Sequence, residues 1–286
     1  MRRLDIGIAS FRSPEKLRKT VQQVQRHSVT DWRLIITHNS GNDEAYQVIK
    51  DAQASDSRIT VQVPGADFNV GYAGAVNTLF ASAETEYIAY LDNDAYVETV
   101  GWDEALCSYL DRFHSLGIVF PGHGHYPVNN GQYTECLWAA GFCWVTSRMA
   151  QRAVGPFNTE IGHHEEVNWC RRLRIAGYQI ACVPEVTVTH DETSSRSPES
   201  LERINAGIVR WMDTELAYFC GKNVNYHSEN VLRVLDWNTN ALHMEKYFKS
   251  KLPGLNASPE TVVIDGTEWD LIKVPRPKGF YGGRII

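Results

Sequence analysis

Tyr87-Ile88-Ala89-Tyr90-Leu91-Asp92-Asn93-Asp94 decides the reading of this chain. The apolar residues 87–91 predict a short strand, and Asp92-Asn93-Asp94 ends it with two carboxylates. Carboxylates two residues apart at a strand end can hold a hard divalent cation and leave positions open for phosphate oxygens and water. A polar turn capping the next element would use the same residue types, so the triplet takes its meaning from what surrounds it.

Upstream, strands and helices alternate. Residues 4–9 predict a strand. Ser13-Pro14 supplies an N-cap and a first-turn proline, and Leu17, Val21 and Val24 recur at helical spacing. Residues 33–37 predict a second strand. Asn42 or Asp43 caps a helix carrying Ala45, Val48 and Ile49, and residues 59–63 predict a third strand. A glycine-rich turn, Asn69-Val70-Gly71-Tyr72-Ala73-Gly74-Ala75-Val76-Asn77, leads into a helix with Val76, Leu79 and Phe80 on one face. Such alternation with short connections implies an α/β fold: a doubly wound, mostly parallel (mixed) central sheet flanked by helices. Ligands of these sheets bind outside the carboxyl ends of the strands. Residues 92–94 fall at such an end.

Downstream, residues 117–120 and 142–146 predict strands around a Gly-, His-, Pro- and Asn-rich loop at 121–132, a length often tied to function. Residues 165–176 predict a helix closed by Gly177, and 179–183 and 186–189 predict two more strands. Pro198 opens a long helix that runs to Phe219 and ends at Gly221. From Lys222 the chain reads as an extension, with a helix at 242–252 and a hairpin of 262–264 with 269–274 around Asp265-Gly266. The expected division is a main α/β domain at 1–221 and a C-terminal helix/hairpin extension at 222–286.

Composition bounds the class. With 286 residues, 43% hydrophobic and 22% charged, the chain can bury a sizeable core. A net charge of -6 argues against a uniformly basic nucleic-acid-binding surface. The six cysteines form no CxxC pair and mostly sit in apolar stretches, which predicts reduced, buried thiols. No segment reaches the length of a spanning helix, and Met1-Arg2-Arg3-Leu4-Asp5 lacks the apolar run of a signal peptide. These features point to the cytoplasm, with peripheral membrane attachment left open.

Three further constellations carry chemical options. The glycines of 69–77 permit close backbone approach to a ligand, and the following helix would offer amide N–H groups. A purely structural turn is equally served, and the spacing differs from both a dinucleotide-binding fingerprint and a Walker A loop. In His163-His164-Glu165-Glu166, the glutamates at a helix start interact favourably with its dipole, and one of them can act as a general base for an acceptor hydroxyl. The two histidines fit no common zinc spacing. His190, after a strand, can add a nitrogen ligand to a carboxylate-bound metal, although strand-end histidines are often simply hydrogen-bonded or exposed. The polar run 191–197 reads as a lid in which Arg196 is available to a phosphate. Trp138, Tyr126 and Trp144 are candidates for stacking on a ligand ring, although buried aromatics are the commoner case.

In order, these segments resemble the family 2 glycosyltransferases of the GT-A fold, over roughly residues 4–190. Ile8-Ala9-Ser10-Phe11-Arg12 looks like the family's first strand and nucleotide-contacting turn. Asn69, Gly71, Ala73 and Asn77 match its N-x-G-x-A-x-x-x-N pattern, and Asp92-Asn93-Asp94 matches its DxD. Ala140-Gly141-Phe142 resembles the small-residue segment near the sugar. Glu165-Glu166-Val167-Asn168-Trp169-Cys170-Arg171 is similar to its E-D-x-D-x-x-x-R region, and Val183-Pro184 and His190 match its closing V-P…H.

The resemblance implies sugar transfer from a nucleotide-diphosphate sugar to an acceptor hydroxyl, with inversion and with Mn²⁺ or Mg²⁺ as cofactor. It implies donor contacts from Ala9, Ser10, Phe11, Arg12, Asn69, Gly71, Ala73, Asn77, Asp92, Asn93 and Gly141. Asp92, Asp94 and His190 would hold the metal, and Glu166, next to Glu165, takes the position of the catalytic base. His38-Asn39 stands where the family often has Asp-Asn at the nucleobase, with Asp43 nearby, and Asn168 replaces the second aspartate of E-D-x-D. The expected acceptor is a carbohydrate or glycoconjugate. A hydroxymethylated base in DNA is the alternative, which only the basic tail with Lys273, Arg276, Lys278 and Arg284 favours. A second alternative is nucleotide-sugar binding without transfer.

Overall fold

The computed structural model describes residues 3–39, 43–64, 69–122, 128–129, 131–136, 138–159 and 165–191, and two short strands at 261–264 and 267–270. The elements in chain order are β1 (Leu4–Ser10), α1 (Pro14–His27), β2 (Trp32–His38), α2 (Asp43–Ser55), β3 (Ile59–Gln62), α3 (Gly71–Ser82) and β4 (Tyr87–Asp92). There follow β5 (Ala95–Val97), α4 (Trp102–Arg112), β6 (Leu116–Pro121), β7 (Val128–Asn129), β8 (Thr134–Glu135), β9 (Cys143–Ser147), α5 (Arg148–Val154), α6 (Glu165–Ile175), β10 (Gln179–Val183) and β11 (Val188–His190). Strands β12 (Thr261–Ile264) and β13 (Thr267–Asp270) pair antiparallel, with Ile264 opposite Thr267, so a hairpin forms where it is expected but returns earlier than residue 269.

The main sheet has the order β3-β2-β1-β4-β9-β6-β10-β8-β7. Its β3-β2-β1-β4 half is parallel, as the strand–helix alternation requires. Beyond β4 it becomes mixed: β9 runs antiparallel between β4 and β6, and β10 is parallel to β6. A separate antiparallel pair joins β5 to β11.

Period-two alternation assigns the strand residues to two faces. Leu4, Ile6, Ile8, Ala89, Leu91, Cys143 and Val145 meet Leu17, Val21 and Val24 of α1, Val48 and Ile49 of α2, and Trp102, Leu106 and Leu110 of α4. Ile88, Tyr90, Ile118, Phe120 and Trp144 meet Val76, Leu79 and Phe80 of α3, Ala150 of α5, and Trp169 and Leu173 of α6. Gly7 is what lets α3 lie so close to β1: a Cβ there would sit 2.3 Å from Leu79 Cδ2. The five described cysteines are all free and buried, in line with the composition.

Five elements have no counterpart in the sequence reading: α4, α5, β5 and the two-residue strands β7 and β8, which extend the sheet beyond β10 where a loop is expected. Helix α4 begins after Gly101, whose φ of +78° suits glycine, and its Trp102, Leu106 and Leu110 recur every four residues. Its buried Asp103 accepts from the Val29 and Thr30 amides and from the Thr30 hydroxyl, tying α4 to the α1–β2 connection. Helix α5 is short and starts at Ser147, whose side chain accepts from the Ala150 amide. Strand β5 has three residues and exists through its pairing with β11. Ser13 sits at the N-cap of α1 as expected, but its side chain makes no capping bond.

Arg196, the long helix from Pro198, Tyr126, His163, His164, the helix at 242–252, the 221/222 boundary and the basic tail lie outside the described residues. No helix among the described residues is long and apolar enough to cross a membrane.

Candidate donor and metal site

At the carboxyl ends of β1, β2 and β4, Asp92 and Asp94 come together with His190. Asp92, the last residue of β4, accepts from the Tyr90 hydroxyl at 2.9 Å, and its amide donates to the Phe142 carbonyl at 2.8 Å. Asp94 lies just past the strand. His190 reaches both from the far end of the domain's sequence because β11 pairs with β5, placing His190 opposite Ala95. Its Nε2 lies 3.5 Å from Asp92 Oδ2 and 3.3 Å from Asp94 Oδ1. The ring is stacked on Phe142, with centroids 4.7 Å apart. One ligand atom from each of the three residues falls within 4.8 Å of the others. Two carboxylates and one imidazole so arranged suit a divalent cation with coordination positions left over.

Burial pushes the Asp92 carboxyl up to about 7, against the opposing pull of His190; Asp94 and Glu166 add to the rise. Loss of solvation is the main cause, the neighbouring carboxylates add to it, and a cation in their midst would oppose it.

The turn after β1 closes the site on one side. Arg12 has φ +58°, a left-handed conformation unusual for a residue with a side chain, and the Ser13 amide donates back to the Phe11 carbonyl at 2.7 Å. Asn93 Nδ2 donates to the same carbonyl at 2.9 Å, while its own carbonyl accepts from Thr20 Oγ1. Asn93 therefore joins the β1–α1 turn to the acidic triplet. The Arg12 guanidinium lies over the Phe11 ring.

His38 ends β2 and Asn39 follows it, both buried. Asn39 Oδ1 accepts from the Val70 amide at 2.7 Å, and Asn69 Oδ1 from the Gly71 amide at 3.0 Å. The amides of the N-cap residue and of the first residue of α3 are thus engaged by these two asparagines. Burial lowers the His38 pKa despite Asp43, so a neutral imidazole is favoured there. Further along α3, Asn77 donates to the Phe157 carbonyl at 2.9 Å and accepts from the Phe157 amide at 2.7 Å. The predicted donor contacts at Asn69 and Asn77 have backbone partners within the protein.

Gly141 separates the acidic triplet from α6. A Cβ at 141 would lie 3.3 Å from Glu166 Cδ and 3.6 Å from Oε1, so the Glu166 carboxylate leans on this glycine. The Gly141 carbonyl accepts from the Tyr72 hydroxyl at 3.1 Å, which in turn accepts from Trp144 Nε1. Burial, with help from Glu166 and Asp92, raises the Tyr72 phenol well above its usual value and keeps it a neutral donor. The two adjacent glutamates differ in setting: Glu165 is buried at 6% exposure, and Glu166 is half-buried and close enough to Asp92 to shift it. Trp144 cannot stack on a sugar: it is fully buried against Tyr90, Phe157 and Trp169, because its strand position faces the core. Trp138 is half-buried and packs against the edge of the same core.

Residues that the sequence reading did not single out complete the site. Lys16 donates to the Asp191 carbonyl at 2.8 Å, with Asp191 Oδ1 at 3.1 Å and Asp94 Oδ2 at 3.8 Å. Nothing in the local sequence distinguishes Lys16 from an ordinary helix-surface lysine, since its partners arrive with β11.

Residues 5–170 match the model of glycosyl transferase family 2, which is more than half of the chain. The chain belongs to glycosyl transferase family 2. Its family segment contains Asp92, Asp94, Gly141 and Glu166, and His190 lies beyond it. Among curated proteins, the chain is 24% identical over 124 residues to a teichoic acid poly(glycerol phosphate) polymerase of Staphylococcus epidermidis, covering 43% of this chain and 16% of that one. The chain thus spans a minor part of that relative's length. Among solved structures, it is similar to the mannosyltransferase PcManGT from Pyrobaculum calidifontis in complex with GDP-Man and Mn²⁺, with TM-score 0.64, 11% identity, and 90% of this chain and 77% of that one covered. It is also similar to S. aureus TarS, with TM-score 0.61, 12% identity, and 86% and 43% covered. These likenesses establish the GT-A fold for this family 2 glycosyltransferase domain.

Proposed function

We propose that this family 2 domain transfers a sugar from a nucleotide-diphosphate sugar to a hydroxyl of a carbohydrate or glycoconjugate, with inversion and with a divalent cation. The observation that carries the reading is the convergence of Asp92, Asp94 and His190 beside a glutamate that leans on Gly141. The Mn²⁺ and GDP-Man in the PcManGT complex accord with it.

Asp92, Asp94 and His190 would hold the cation. When bound, a divalent ion supplies charge neutralisation for the diphosphate and for the negative charge it gains as a leaving group. The chain's own groups do the rest. Glu166 accepts the proton of the acceptor hydroxyl as that oxygen attacks the anomeric carbon opposite the departing diphosphate. Gly141, lacking a side chain, leaves Glu166 room beside the sugar. Asn39 and Asn93 hold the α3 start and the β1–α1 turn around the donor. One carboxylate suffices for acid–base work, unlike the pair that glycoside hydrolysis requires.

The test is a thermal-shift screen of the full chain with UDP-, GDP- and dTDP-sugars, each with Mn²⁺ or with EDTA. One nucleotide class should raise the Tm, only with Mn²⁺, and Asp94→Asn should lose that shift. A shift that persists with EDTA and in the variant would overturn the cation assignment. No shift with any donor would overturn the donor reading itself.

A further inference from the structure

Among the described residues, the imidazole grouped with the two carboxylates of the acidic triplet comes from β11, and that strand is three residues long. Three residues of antiparallel pairing are a weak anchor for a ligand whose position must hold to a fraction of an ångström. Other contacts must fix its end. The Asp191 amide donates to the Asp94 carbonyl at 3.0 Å, extending the β5–β11 ladder by one rung. The Asp191 carbonyl on the other side accepts from Lys16 Nζ at 2.8 Å, and the Asp191 carboxylate lies 3.1 Å from the same ammonium. Residue 191 is therefore clamped between Asp94 and the first turn of α1, and His190 precedes it directly. The phenol of Tyr96, on β5, is a further hydrogen-bond partner of Asp191, and Lys19 lies over the Tyr96 ring at 3.6 Å.

We infer that Lys16 is a positioning residue: by clamping Asp191 it holds His190 at the ligand distance from Asp92 and Asp94, and so strengthens cation binding although it is itself a cation. The inference rests on the metal assignment proposed above. Its interest lies in the sign. Lys16 Nζ is 3.8 Å from Asp94 Oδ2, so on charge alone it competes with a divalent ion, and removing it would tighten binding. If its main task is to hold His190, removing it loosens binding, as loss of a partner that orients a metal ligand does. A lysine that merely joins α1 to β11 for stability would change the melting temperature and leave the cation's affinity where it was.

The experiment measures Mn²⁺ binding to the donor-free full chain by electron paramagnetic resonance of unbound Mn²⁺. The panel is wild type, Lys16→Met, Lys16→Arg, Lys16→Gln, His190→Ala and Asp94→Asn. The expected result is Mn²⁺ affinity about 10- to 100-fold weaker in Lys16→Met, a loss similar to that of His190→Ala, with most of it restored in Lys16→Arg. Lys16→Gln, which keeps a donor without the charge, should fall between and serves in place of Lys16→Met should the latter not fold. Equal or tighter binding in both Lys16→Met and Lys16→Gln, with Asp94→Asn weakened, would overturn the positioning role and leave the metal site standing. Absence of Mn²⁺ binding by wild type, or binding by Asp94→Asn as tight as wild type, would bring down the metal assignment and this inference with it.

Discussion

His190 Nε2 lies 3.3 Å from Asp94 Oδ1 because β11 pairs in antiparallel register with β5, whose first residue is the neighbour of Asp94. A strand of three residues thus completes an acidic pair that β4 positions from the other side. The arrangement makes the site sensitive to the pairing of two minimal strands.

Glu166 should separate chemistry from binding. Glu166→Gln keeps the shape of the side chain but removes its ability to accept a proton. Transfer should fall by roughly two orders of magnitude or more with donor affinity intact, as single-turnover rates and a donor titration would report. A loss of donor affinity of similar size would assign Glu166 to the donor instead.

Gly141 should control that glutamate sterically. Gly141→Ala places a methyl group 3.3 Å from Glu166 Cδ, so the carboxylate must move by a few tenths of an ångström. The expected effect is a fall in kcat of about tenfold with a near-constant melting temperature, since small misplacements of a catalytic group are costly. An unchanged kcat would mean that the carboxylate at Gly141 does not touch the reacting atoms.

Asp92 should leave a mark on stability in cation-free protein. Its carboxyl is pushed up to about 7, above the unfolded value of about 4. Between these values the folded state binds a proton that the unfolded state has released, so this group's contribution to stability is greatest at low pH and is lost as pH rises from about 4 to about 7. Asp92→Asn removes that dependence. In EDTA, the Tm of the variant relative to wild type should climb across this window and level off above it, as paired thermal melts would show. A flat difference would place Asp92 in an ordinary, well-solvated setting.

Asn77 should be structural. Its amide makes two hydrogen bonds with the backbone of Phe157, which pin the segment after α5 to α3. Asn77→Ala should cost about 2 kcal/mol in urea unfolding, from two lost bonds and the backbone groups left unpaired, and leave the donor KM near the wild-type value. A raised KM with unchanged stability would instead support the donor contact that the family pattern implies.

Gly7 tests the packing under the site. A Cβ at this position would lie 2.3 Å from Leu79 Cδ2 and 2.9 Å from Cγ, and Leu79 is itself buried. Gly7→Ala should destabilise the fold by about 1–3 kcal/mol, the range for overpacking a filled core, measured by denaturant midpoint. A neutral result would mean that α3 shifts freely on the sheet.

What local pattern dictates was legible in the residues. Apolar runs bounded by turn formers marked β1 to β4 and their helices, and the end of β4 marked the acidic triplet, because periodicity and strand termination depend on neighbours in sequence. Helix α4 is legible on the same grounds, through Trp102, Leu106 and Leu110. The tertiary structure alone decided the rest. Which of two adjacent glutamates stands in the cleft depends on how α6 is rotated against Gly141. Whether Asn77 meets a ligand or the backbone depends on where Phe157 comes to lie. Trp144 is core because β9 sits between β4 and β6, and Lys16 meets Asp191 only through β5 and β11. These are contacts between segments far apart in the chain, set by strand register and helix packing, and no local periodicity encodes them.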